Sequence, residues 1–383
     1  MLNFEEAIIR IDNDISIQDR ETYSKDFDAI RNYLMDIMKA TDPVFKKIYA
    51  GPSLFGSYLD NIKIDKPDEF DVHFLLKLPF YEDIQIKKDK NRPGFVKLLL
   101  SKPLKQMKSD PNLHFVYEQF EQFVTPSKFL MRSEIQHWLE RIITKALKTY
   151  GNSVPNAAGT DEYDLVYLKR GTAHTIEATS TNGREISIDF VPAFRFNATY
   201  DWFAERPFPK NIKEKLWFAV PKPTVGPKGG RKLTFSICVP QTEKHLITGK
   251  YNLKPTLRLL KSIRDRMNEG YFMKSYFIKS IYLLENDEQD DDFWMQSPGK
   301  LLLHTLDKLL FFLDSKCIPF YWCPSMNLLA SLDEIRVIIL KESFQKVRNK
   351  LVQFSQKPGV DYNKMRRLFG IATKPLKQEY VQN

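Results

Sequence analysis

The stretch Asp68-Glu-Phe-Asp-Val-His-Phe-Leu-Leu-Lys77 carries the strongest structural signal in the chain. Apolar and polar residues alternate from Glu69 to Phe74, which is the two-residue period of a strand buried on one face. The polar face then presents Glu69 and Asp71 side by side, about 6 to 7 Å apart along the strand. The segment therefore predicts a strand whose open face holds two carboxylates.

A third carboxylate lies on a second segment of the same pattern, Glu185-Ile-Ser-Ile-Asp-Phe-Val191. Ile186, Ile188 and Phe190 face one way there, so Asp189 faces the other. If the two strands are neighbours, Glu69, Asp71 and Asp189 converge. Three carboxylates without histidine or cysteine suit Mg²⁺, with Mn²⁺ as an alternative, and a two-metal clamp for phosphoryl or nucleotidyl transfer follows.

Gly56-Ser57 precedes this strand and follows a predicted helix. Glycine lets the backbone approach a phosphate closely, and a serine hydroxyl with exposed N–H groups can hold it. The pair predicts a loop that binds a triphosphate. The alternative is that Glu69 and Asp71 form the wet face of an edge strand and that Asp189 makes only local contacts.

Periodicity predicts the remaining elements. Residues from about Asp19 to Ala40 form an amphipathic helix, and a second helix contains Ile135 to Ala146. An Asn182-Gly183 turn joins two of the strands. The other predicted strands are residues 163–168 and 174–179, and the later helices are Leu253 to Met267, Met273 to Leu284, Leu301 to Leu313 and Ile335 to Phe354.

A chain of 383 residues is longer than a usual single domain, which predicts two lobes. Residues 205–230 are rich in proline and glycine, so the lobe boundary is expected there. The predicted fold is of the α/β (α+β) class, with a mixed β-sheet in residues 1–205 and a helical lobe in residues 206–383.

Composition excludes several classes of protein. No apolar run approaches the roughly 18 residues of a membrane span, and acids stand near the N-terminus where a secretory signal would carry lysines. Three cysteines without a C-x-x-C pair and scattered histidines argue against a disulfide scaffold and a zinc site. We expect a cytoplasmic protein with no membrane partner and no zinc.

The positive charge is concentrated in the C-terminal half. Residues 205–280 hold 17 Lys/Arg against 5 Asp/Glu, a net charge of +12, whereas residues 1–50 have a net charge of −3. Such a basic surface is typical of a partner that carries phosphates, either nucleic acid or nucleotide. The six acids between Glu285 and Asp292 predict a solvated loop.

These residues resemble the animal cyclic GMP-AMP synthase and the insect cyclic GMP-AMP synthase-like receptors. The motifs that carry the resemblance are Gly56-Ser57-Tyr58, Lys63-Ile64, Glu69-Phe70-Asp71-Val72, Ile186-Ser187-Ile188-Asp189, Leu233-Thr234-Phe235-Ser236 and Ser275-Tyr276-Phe277-Ile278-Lys279.

The resemblance implies a role for each matching residue. Glu69, Asp71 and Asp189 would be catalytic metal ligands, and the Gly56-Ser57 loop would contact the triphosphate. The nucleotide-binding residues implied in the second lobe are Ser275, Tyr276 as a purine stack, Lys254 for phosphate, and Lys232 where the family has an arginine. A lysine cannot reproduce the planar guanidinium stack. ATP and GTP would be the substrates.

The vertebrate enzyme carries a zinc ribbon after the Leu-x-Phe-Ser segment, but residues 237–245 here offer only Cys238 and His245. Two candidate ligands cannot complete a four-coordinate zinc site. The departure matches the insect receptors and implies double-stranded RNA as activator, with a dimer on nucleic acid left open. The residues expected to bind RNA are Lys228, Arg231, Lys244 and Lys250.

Two other functions remain open at this point. A template-free RNA nucleotidyltransferase, of the oligoadenylate synthetase or poly(A) polymerase type, shares the glycine-serine and acid pattern. A catalytically silent relative would keep the fold for RNA or nucleotide binding alone. The complete set of three acids argues against the silent relative. The family resemblance implies a two-lobed nucleotidyltransferase fold, with a catalytic core and an N-terminal spine helix in residues 1–205 and a helical lobe that closes the nucleotide cleft in residues 206–383. It also implies an enzyme that makes a cyclic dinucleotide and an innate immune sensor of double-stranded RNA.

Overall fold

A computed structural model describes residues 2–17, 19–64, 66–198, 204–224 and 231–371. Lys228 lies outside these ranges, as does the side chain of Arg231. The α-helices are α1 (Phe4–Ile15), α2 (Arg20–Thr41), α3 (Pro43–Ile48), α4 (Gly56–Leu59), α5 (Ser101–Ser109), α6 (His114–Gln122), α7 (Arg132–Tyr150), α8 (Pro240–Ile247), α9 (Leu253–Arg266), α10 (Ser275–Glu288), α11 (Pro298–Asp314), α12 (Glu334–Ser355) and α13 (Tyr362–Arg366).

The strands lie mainly in the first two thirds of the chain. They are β1 (Tyr49–Phe55), β2 (Glu69–Leu76), β3 (Gln85–Lys88), β4 (Phe95–Leu99), β5 (Ser153–Pro155), β6 (Glu162–Arg170), β7 (Ala173–Ser180), β8 (Glu185–Asn197), β9 (Leu216–Val220), β10 (Phe235–Cys238), β11 (Pro319–Phe320) and β12 (Cys323–Asn327). Short 3-10 turns include Arg231–Leu233, Gly270–Phe272 and Phe293–Met295.

Within the described residues, ten strands form one mixed sheet. Its main path runs β3-β4-β10-β9-β8-β7-β6-β5, and β2 pairs with both β1 and β8. The β2–β8 pair is parallel, whereas the other pairs are antiparallel. Strands β11 and β12 form a separate pair. The prediction of a mixed sheet followed by a helical region is confirmed.

Strand β2 has the two-faced character that its sequence predicts. Phe70, Val72 and Phe74 are buried in the main core. Phe70 stacks on Phe27 of α2 with ring centroids 4.2 Å apart. Burying a side chain of this size stabilises the fold by about 2 to 3 kcal/mol. The apolar face therefore anchors β2 under the long helix α2, and the opposite face remains for the acids.

The helical region packs around α9. Helices α10 and α11 contact α9, and α1 reaches the same region from the N-terminus. Arg258 of α9 donates to Asp12 of α1, with Nη2 and Oδ2 2.5 Å apart. Strands β9 and β10, which follow residue 205, pair into the main sheet. The division into residues 1–205 and 206–383 stays a prediction.

The acidic run differs from its prediction. Glu285 to Glu288 form the last turn of α10, and Glu285 is buried. Its carboxylate contacts Nε2 of His304 at 2.6 Å and Nζ of Lys308 at 3.1 Å. The prediction of a solvated loop is wrong for residues Glu285 to Glu288, because they are helical and because Lys308 of the neighbouring helix α11, with the His304 ring beside it, contacts the buried Glu285 carboxylate.

Candidate active site

Strands β2, β8 and β7 place polar residues in rows on one face of the sheet. Asp71 is the register partner of Asp189, and Asp189 is in turn the partner of Thr175. One step along the strands, Glu69 lies opposite Ser187. Neighbouring strands are about 4.8 Å apart, so the structure brings Asp71 and Asp189 together and leaves Glu69 beside them.

The loop that carries Gly56 lies directly against Asp71. Strand β1 ends at Phe55, which is the register partner of Asp71, and α4 begins at Gly56 with a φ of 71°. A Cβ atom at Gly56 would lie 2.1 Å from Oδ2 of Asp71. Only glycine fits here, because any side chain would collide with the carboxylate and would need a left-handed backbone. The loop and the acid therefore form one compact unit with Ser57 next in the chain.

Burial and like charge shape the chemistry of the acids. Burial, together with the nearby carboxylates of Asp189 and Glu69, raises the pKa of Asp71 to about 7. Lys63 and Lys261 oppose this rise without cancelling it. Carboxylates that share a site compete to be charged. The pair Asp71–Asp189 therefore holds more negative charge than its protein neighbours offset.

One partner of the acids, Thr175, was not singled out from the sequence, whereas the other, Lys63, lies in the Lys63-Ile64 motif. Thr175 donates its hydroxyl to Oδ1 of Asp189 at 2.5 Å, which orients that carboxylate. Glu69 is exposed, and its carboxylate pairs with Nζ of Lys63. The Asn182-Gly183 turn could have pointed to Thr175 in the sequence. A tight turn sets the register of its hairpin, and that register determines which residue of β7 lies opposite Asp189.

His73 forms the deeper end of the acid face. Its ring is buried and stacks on Phe55, with centroids 4.0 Å apart. Within the described part of the chain, its Nδ1 atom has no hydrogen-bond partner. Burial lowers the pKa of His73 to about 3, so the ring is neutral. His73 thus contributes an uncharged wall below the carboxylates.

The acids fit a hard divalent cation. Across the residues that the structure describes, no salt bridge involves Asp71 or Asp189. In those ranges, no group of three His, Cys, Asp or Glu side chains is placed to hold a metal ion, and Glu69 is turned towards Lys63. Mg²⁺ typically uses one or two carboxylates and completes its shell with water and substrate phosphates. Asp71 and Asp189 can supply that number.

The two candidate zinc ligands lie on different elements, Cys238 at the end of β10 and His245 on α8. Burial raises the pKa of the Cys238 thiol to about 12. Nε2 of His245 lies 3.1 Å from Nδ2 of Asn211.

The residues predicted to contact nucleotide in the helical region have protein partners. The Tyr276 hydroxyl donates to Oε1 of Glu243 at 2.8 Å, and Ser275 accepts from Arg264 at 2.6 Å. Lys254 is half-buried, with Nζ 3.4 Å from the Thr248 hydroxyl. Lys232 is exposed in the turn Arg231–Leu233. Their contacts with a nucleotide stay predictions.

The residues predicted to bind RNA differ in their surroundings. Lys244 is exposed on α8, whereas Lys250 pairs with Asp291 of the acidic run. Arg231 begins a short turn, and Lys228 lies outside the described residues. An RNA phosphate would have to compete with Asp291 for Lys250.

Comparison with known proteins covers both halves of the chain. Residues 58–249 match the Mab-21 protein nucleotidyltransferase domain, and residues 252–349 match the Mab-21 protein HhH/H2TH-like domain. No helix in the described ranges combines the length and the apolar character that crossing a bilayer requires.

Relatives from flies and a beetle align over most of their length. A cyclic GMP-AMP synthase-like receptor of Drosophila eugracilis is 34% identical over 86% of each chain. Cyclic GMP-AMP synthase-like receptor 1 of Drosophila melanogaster is 31% identical over 85% of this chain and 86% of its own. A cyclic GMP-AMP synthase-like receptor of Tribolium castaneum is 30% identical over 80% of this chain and 78% of its own. The chain therefore belongs to the cyclic GMP-AMP synthase-like family and carries a Mab-21 nucleotidyltransferase domain.

Proposed function

We propose that this protein condenses ATP and GTP into a cyclic dinucleotide of the cyclic GMP-AMP type when it binds double-stranded RNA. The observation that carries the proposal is the pair of carboxylates, Asp71 and Asp189, held in register beside the Gly56 loop without an offsetting ion pair among the described residues. Such a pair has a physical cost unless a cation and a triphosphate use it. The product would be a second messenger of innate antiviral defence.

Each residue of the acid face has a distinct role in this reaction. Asp71 and Asp189, with Glu69 beside them, would hold Mg²⁺, and the Gly56-Ser57 loop would position the triphosphate. When bound, Mg²⁺ would offset phosphate charge and lower the pKa of the attacking ribose hydroxyl. Thr175 keeps the Asp189 carboxylate in one orientation. Pyrophosphate leaves as the new phosphodiester forms, and a second round closes the ring.

The helical region supplies the base contacts. Tyr276 stacks on a purine with Ser275 beside it, and its ring is steadied by the bond from its hydroxyl to Glu243. Lys254 contacts phosphate, and Lys232 lies near the second base. The net charge of +12 in residues 205–280 exceeds what two nucleotides require, which leaves cations for RNA.

Double-stranded RNA is the activator that this chemistry favours. An A-form duplex is recognised mainly by shape and through phosphates and 2′-hydroxyls, which suits a basic surface without a zinc ribbon. Lys228, Arg231, Lys244 and Lys250 provide the phosphate contacts. The protein would meet such an RNA in the cytoplasm. Because RNA binding through these contacts would switch on catalysis, the protein acts as a sensor.

A product assay tests the catalytic proposal. Purified protein is incubated with labelled ATP and GTP, Mg²⁺, and either RNA or DNA duplexes, and products are separated by chromatography. We expect a cyclic dinucleotide with RNA, and loss of at least 1,000-fold, about 4 kcal/mol, in Glu69→Ala/Asp71→Ala. The variant Glu118→Ala/Glu121→Ala, which removes one exposed and one half-buried acid from α6, is the matched control.

Each other product pattern identifies a rival function. Linear oligomers would indicate a template-free polymerase, and nucleotide binding without any product would indicate a silent relative. A double-alanine variant with wild-type activity would refute the acid site.

Charge reversal tests the RNA surface. Lys228→Glu/Arg231→Glu should weaken RNA binding and RNA-stimulated activity together, by ~1 kcal/mol or more per lost phosphate contact. Lys46→Glu/Lys47→Glu on exposed α3 is the control with the same charge change. Equal affinity of all three proteins at fixed salt would place the RNA elsewhere.

A further inference from the structure

A buried cluster of charges joins the Gly56-Ser57 loop to the helical region. Asp60, at the end of α4, is fully buried, and its Oδ2 atom accepts from Nζ of Lys279 on α10 at 2.6 Å. The same Nζ lies 2.9 Å from Oε2 of Glu243 on α8. Burial raises the pKa of Asp60, while Lys279 opposes that rise. Two carboxylates therefore share one buried cation.

A second lysine grips the same loop. Nζ of Lys261, on α9, donates to the carbonyl oxygen of Ile62 at 2.9 Å, and Lys261 is 3% exposed. Within the loop, the Ile62 amide donates to the Ser57 carbonyl at 3.0 Å. Two further hydrogen bonds hold the loop of residues 56–62 from within, from the Asp60 amide to the Gly56 carbonyl and from the Asn61 amide to the Tyr58 carbonyl. From outside, Arg20 of α2 donates to the Tyr58 carbonyl, and Lys261 and Lys279 tie the loop to the helical region. We call these two lysines with Asp60 the loop clamp.

Stability alone does not account for the loop clamp. A buried ion pair costs desolvation and is often no better than packed apolar residues of similar volume. Here the three charged groups Asp60, Glu243 and Lys279 carry one excess negative charge. In the described part of the molecule, Oδ1 of Asp60 is also buried without a hydrogen-bond partner. Such an arrangement is costly, which indicates a role in geometry.

The cluster also reaches the proposed base platform. Glu243 accepts from the Tyr276 hydroxyl at 2.8 Å and from Nε1 of Trp322 at 2.9 Å. One chain of contacts therefore runs from Tyr276 through Glu243 and Lys279 to Asp60, three residues after Ser57. It connects the residue expected to stack on a purine with the loop expected to hold the triphosphate.

We propose that Asp60, Lys279 and Lys261 are positioning residues that hold the loop of residues 56–62 at a fixed distance from the Tyr276 platform. The inference rests on the proposed function, in which the loop binds a triphosphate and Tyr276 binds its base. With the clamp intact, both ends of one nucleotide meet preformed sites. Without it, the loop moves independently of the helical region, and the nucleotide must order the loop when it binds.

Hydrogen exchange tests the clamp without nucleotide. Asp60→Asn removes one charge and leaves Lys279 with Glu243 as a balanced pair, so the variant should fold. We expect exchange in a peptide spanning residues 56–62 to rise about tenfold. Glu285→Gln is the matched control, since it removes another buried carboxylate from α10 that pairs with His304 and Lys308 and does not contact the loop. Its exchange in residues 56–62 should stay within twofold of wild type.

A second variant keeps the test decisive if Asp60→Asn does not fold. Lys261→Met removes the contact to Ile62, and exchange in the same peptide should again rise. Unchanged exchange in every folded clamp variant overturns the proposal. An equal rise in Glu285→Gln also overturns it, because the effect would then be general loosening.

Nucleotide affinity supplies the functional readout. With Mg²⁺ and an α,β-methylene analogue of ATP, Asp60→Asn should bind about tenfold more weakly, about 1.4 kcal/mol, and Glu285→Gln should bind like wild type. Wild-type protein that binds no analogue would refute the proposed function, whereas the exchange result would still stand. Wild-type binding with an unaltered affinity in Asp60→Asn refutes the clamp alone.

Discussion

Two pairs of carboxylates lie close together in this protein, and they are treated in opposite ways. Asp60 and Glu243 share the ammonium group of Lys279, at 2.6 and 2.9 Å. Asp71 and Asp189 are register partners on β2 and β8, and among the described residues no cation forms a salt bridge with either. The first pair therefore shares one lysine of the chain, whereas the second pair has no salt-bridge partner among the described residues.

This difference distinguishes the Asp60–Lys279–Glu243 cluster, which holds parts of the chain together, from the Asp71–Asp189 pair, which is available to a ligand. A buried charge without a partner is costly, so it persists where a ligand supplies the missing charge. Burial and Asp189 raise the pKa of Asp71 to about 7, and this rise reflects the free-energy cost of keeping the carboxylate charged at that position. In the other pair, burial acts to lower the pKa of Lys279, but Glu243 and Asp60 more than offset it and the pKa is raised. Lys279 is therefore charged at all physiological pH values.

The largest expected effect comes from removing the shared cation. Lys279→Met leaves Asp60 and Glu243 buried without a partner, and removing one member of a buried pair costs about 3 to 5 kcal/mol. Urea unfolding at pH 7.5 measures the free energy of unfolding. Adding Asp60→Asn and Glu243→Gln removes the stranded charges and should restore much of the loss.

The control for this variant is Lys316→Met, because Lys316 and its partner Glu334 are both exposed. An exposed pair contributes less than about 1 kcal/mol. Equal destabilisation by the two methionine variants would show that burial of the Asp60–Lys279–Glu243 cluster adds nothing to its contribution to stability.

A smaller effect of opposite sign is expected at the active site. The folded-state pKa of Asp71 lies above its ordinary value of 3.8, so the folded protein binds more protons than the unfolded chain between about pH 4 and pH 7. Metal-free protein therefore loses stability as pH rises through that window. Asp71→Asn should abolish this part of the loss and be about 1 to 3 kcal/mol more stable than wild type at pH 8.

Thermal unfolding in the presence of a chelator, at pH 4.5 and pH 8, checks the sign. Asp83→Asn, a change at a partly exposed acid paired with Lys102, should show no such gain at pH 8. A loss of stability in Asp71→Asn at pH 8 would show that Asp71 supports the fold rather than a ligand.

The smallest expected effect concerns the orientation of Asp189. Thr175→Val keeps the β-branched shape of a buried strand residue but removes the hydrogen bond to Oδ1. We expect kcat to fall about fivefold, which corresponds to about 1 kcal/mol, the value of one hydrogen bond. Steady-state kinetics with RNA, ATP and GTP measures it.

Thr179→Val, on the same strand but at a more exposed position, serves as the comparison. A loss of activity in Thr179→Val as large as in Thr175→Val would mean that strand β7 is generally sensitive and that the bond to Asp189 has no special role.

The sequence by itself determined the local features of this protein. The alternation from Glu69 to Phe74 predicts both a strand and the face on which the acids lie, because side-chain direction in a strand depends only on position along the chain. The turn at Asn182-Gly183 likewise predicts a hairpin, which the pairing of β7 with β8 confirms. Family motifs could also predict the nucleotidyltransferase domain, because each motif is a short, contiguous stretch that is visible in the sequence itself.

Only the tertiary structure decided how distant segments meet. The parallel register that sets Asp71 beside Asp189 could not be read from either strand, and a shift of one residue would turn Asp189 to the other face. Asp60 and Lys279 are separated by 219 positions, so their contact has no local signal. The acidic run showed the same limit, because the burial of Glu285 depends on Lys308 and His304, which α11 contributes. Net charge and hydrophobic periodicity can be read from a single segment of sequence. The group that offsets a buried acid is known only from the packed molecule.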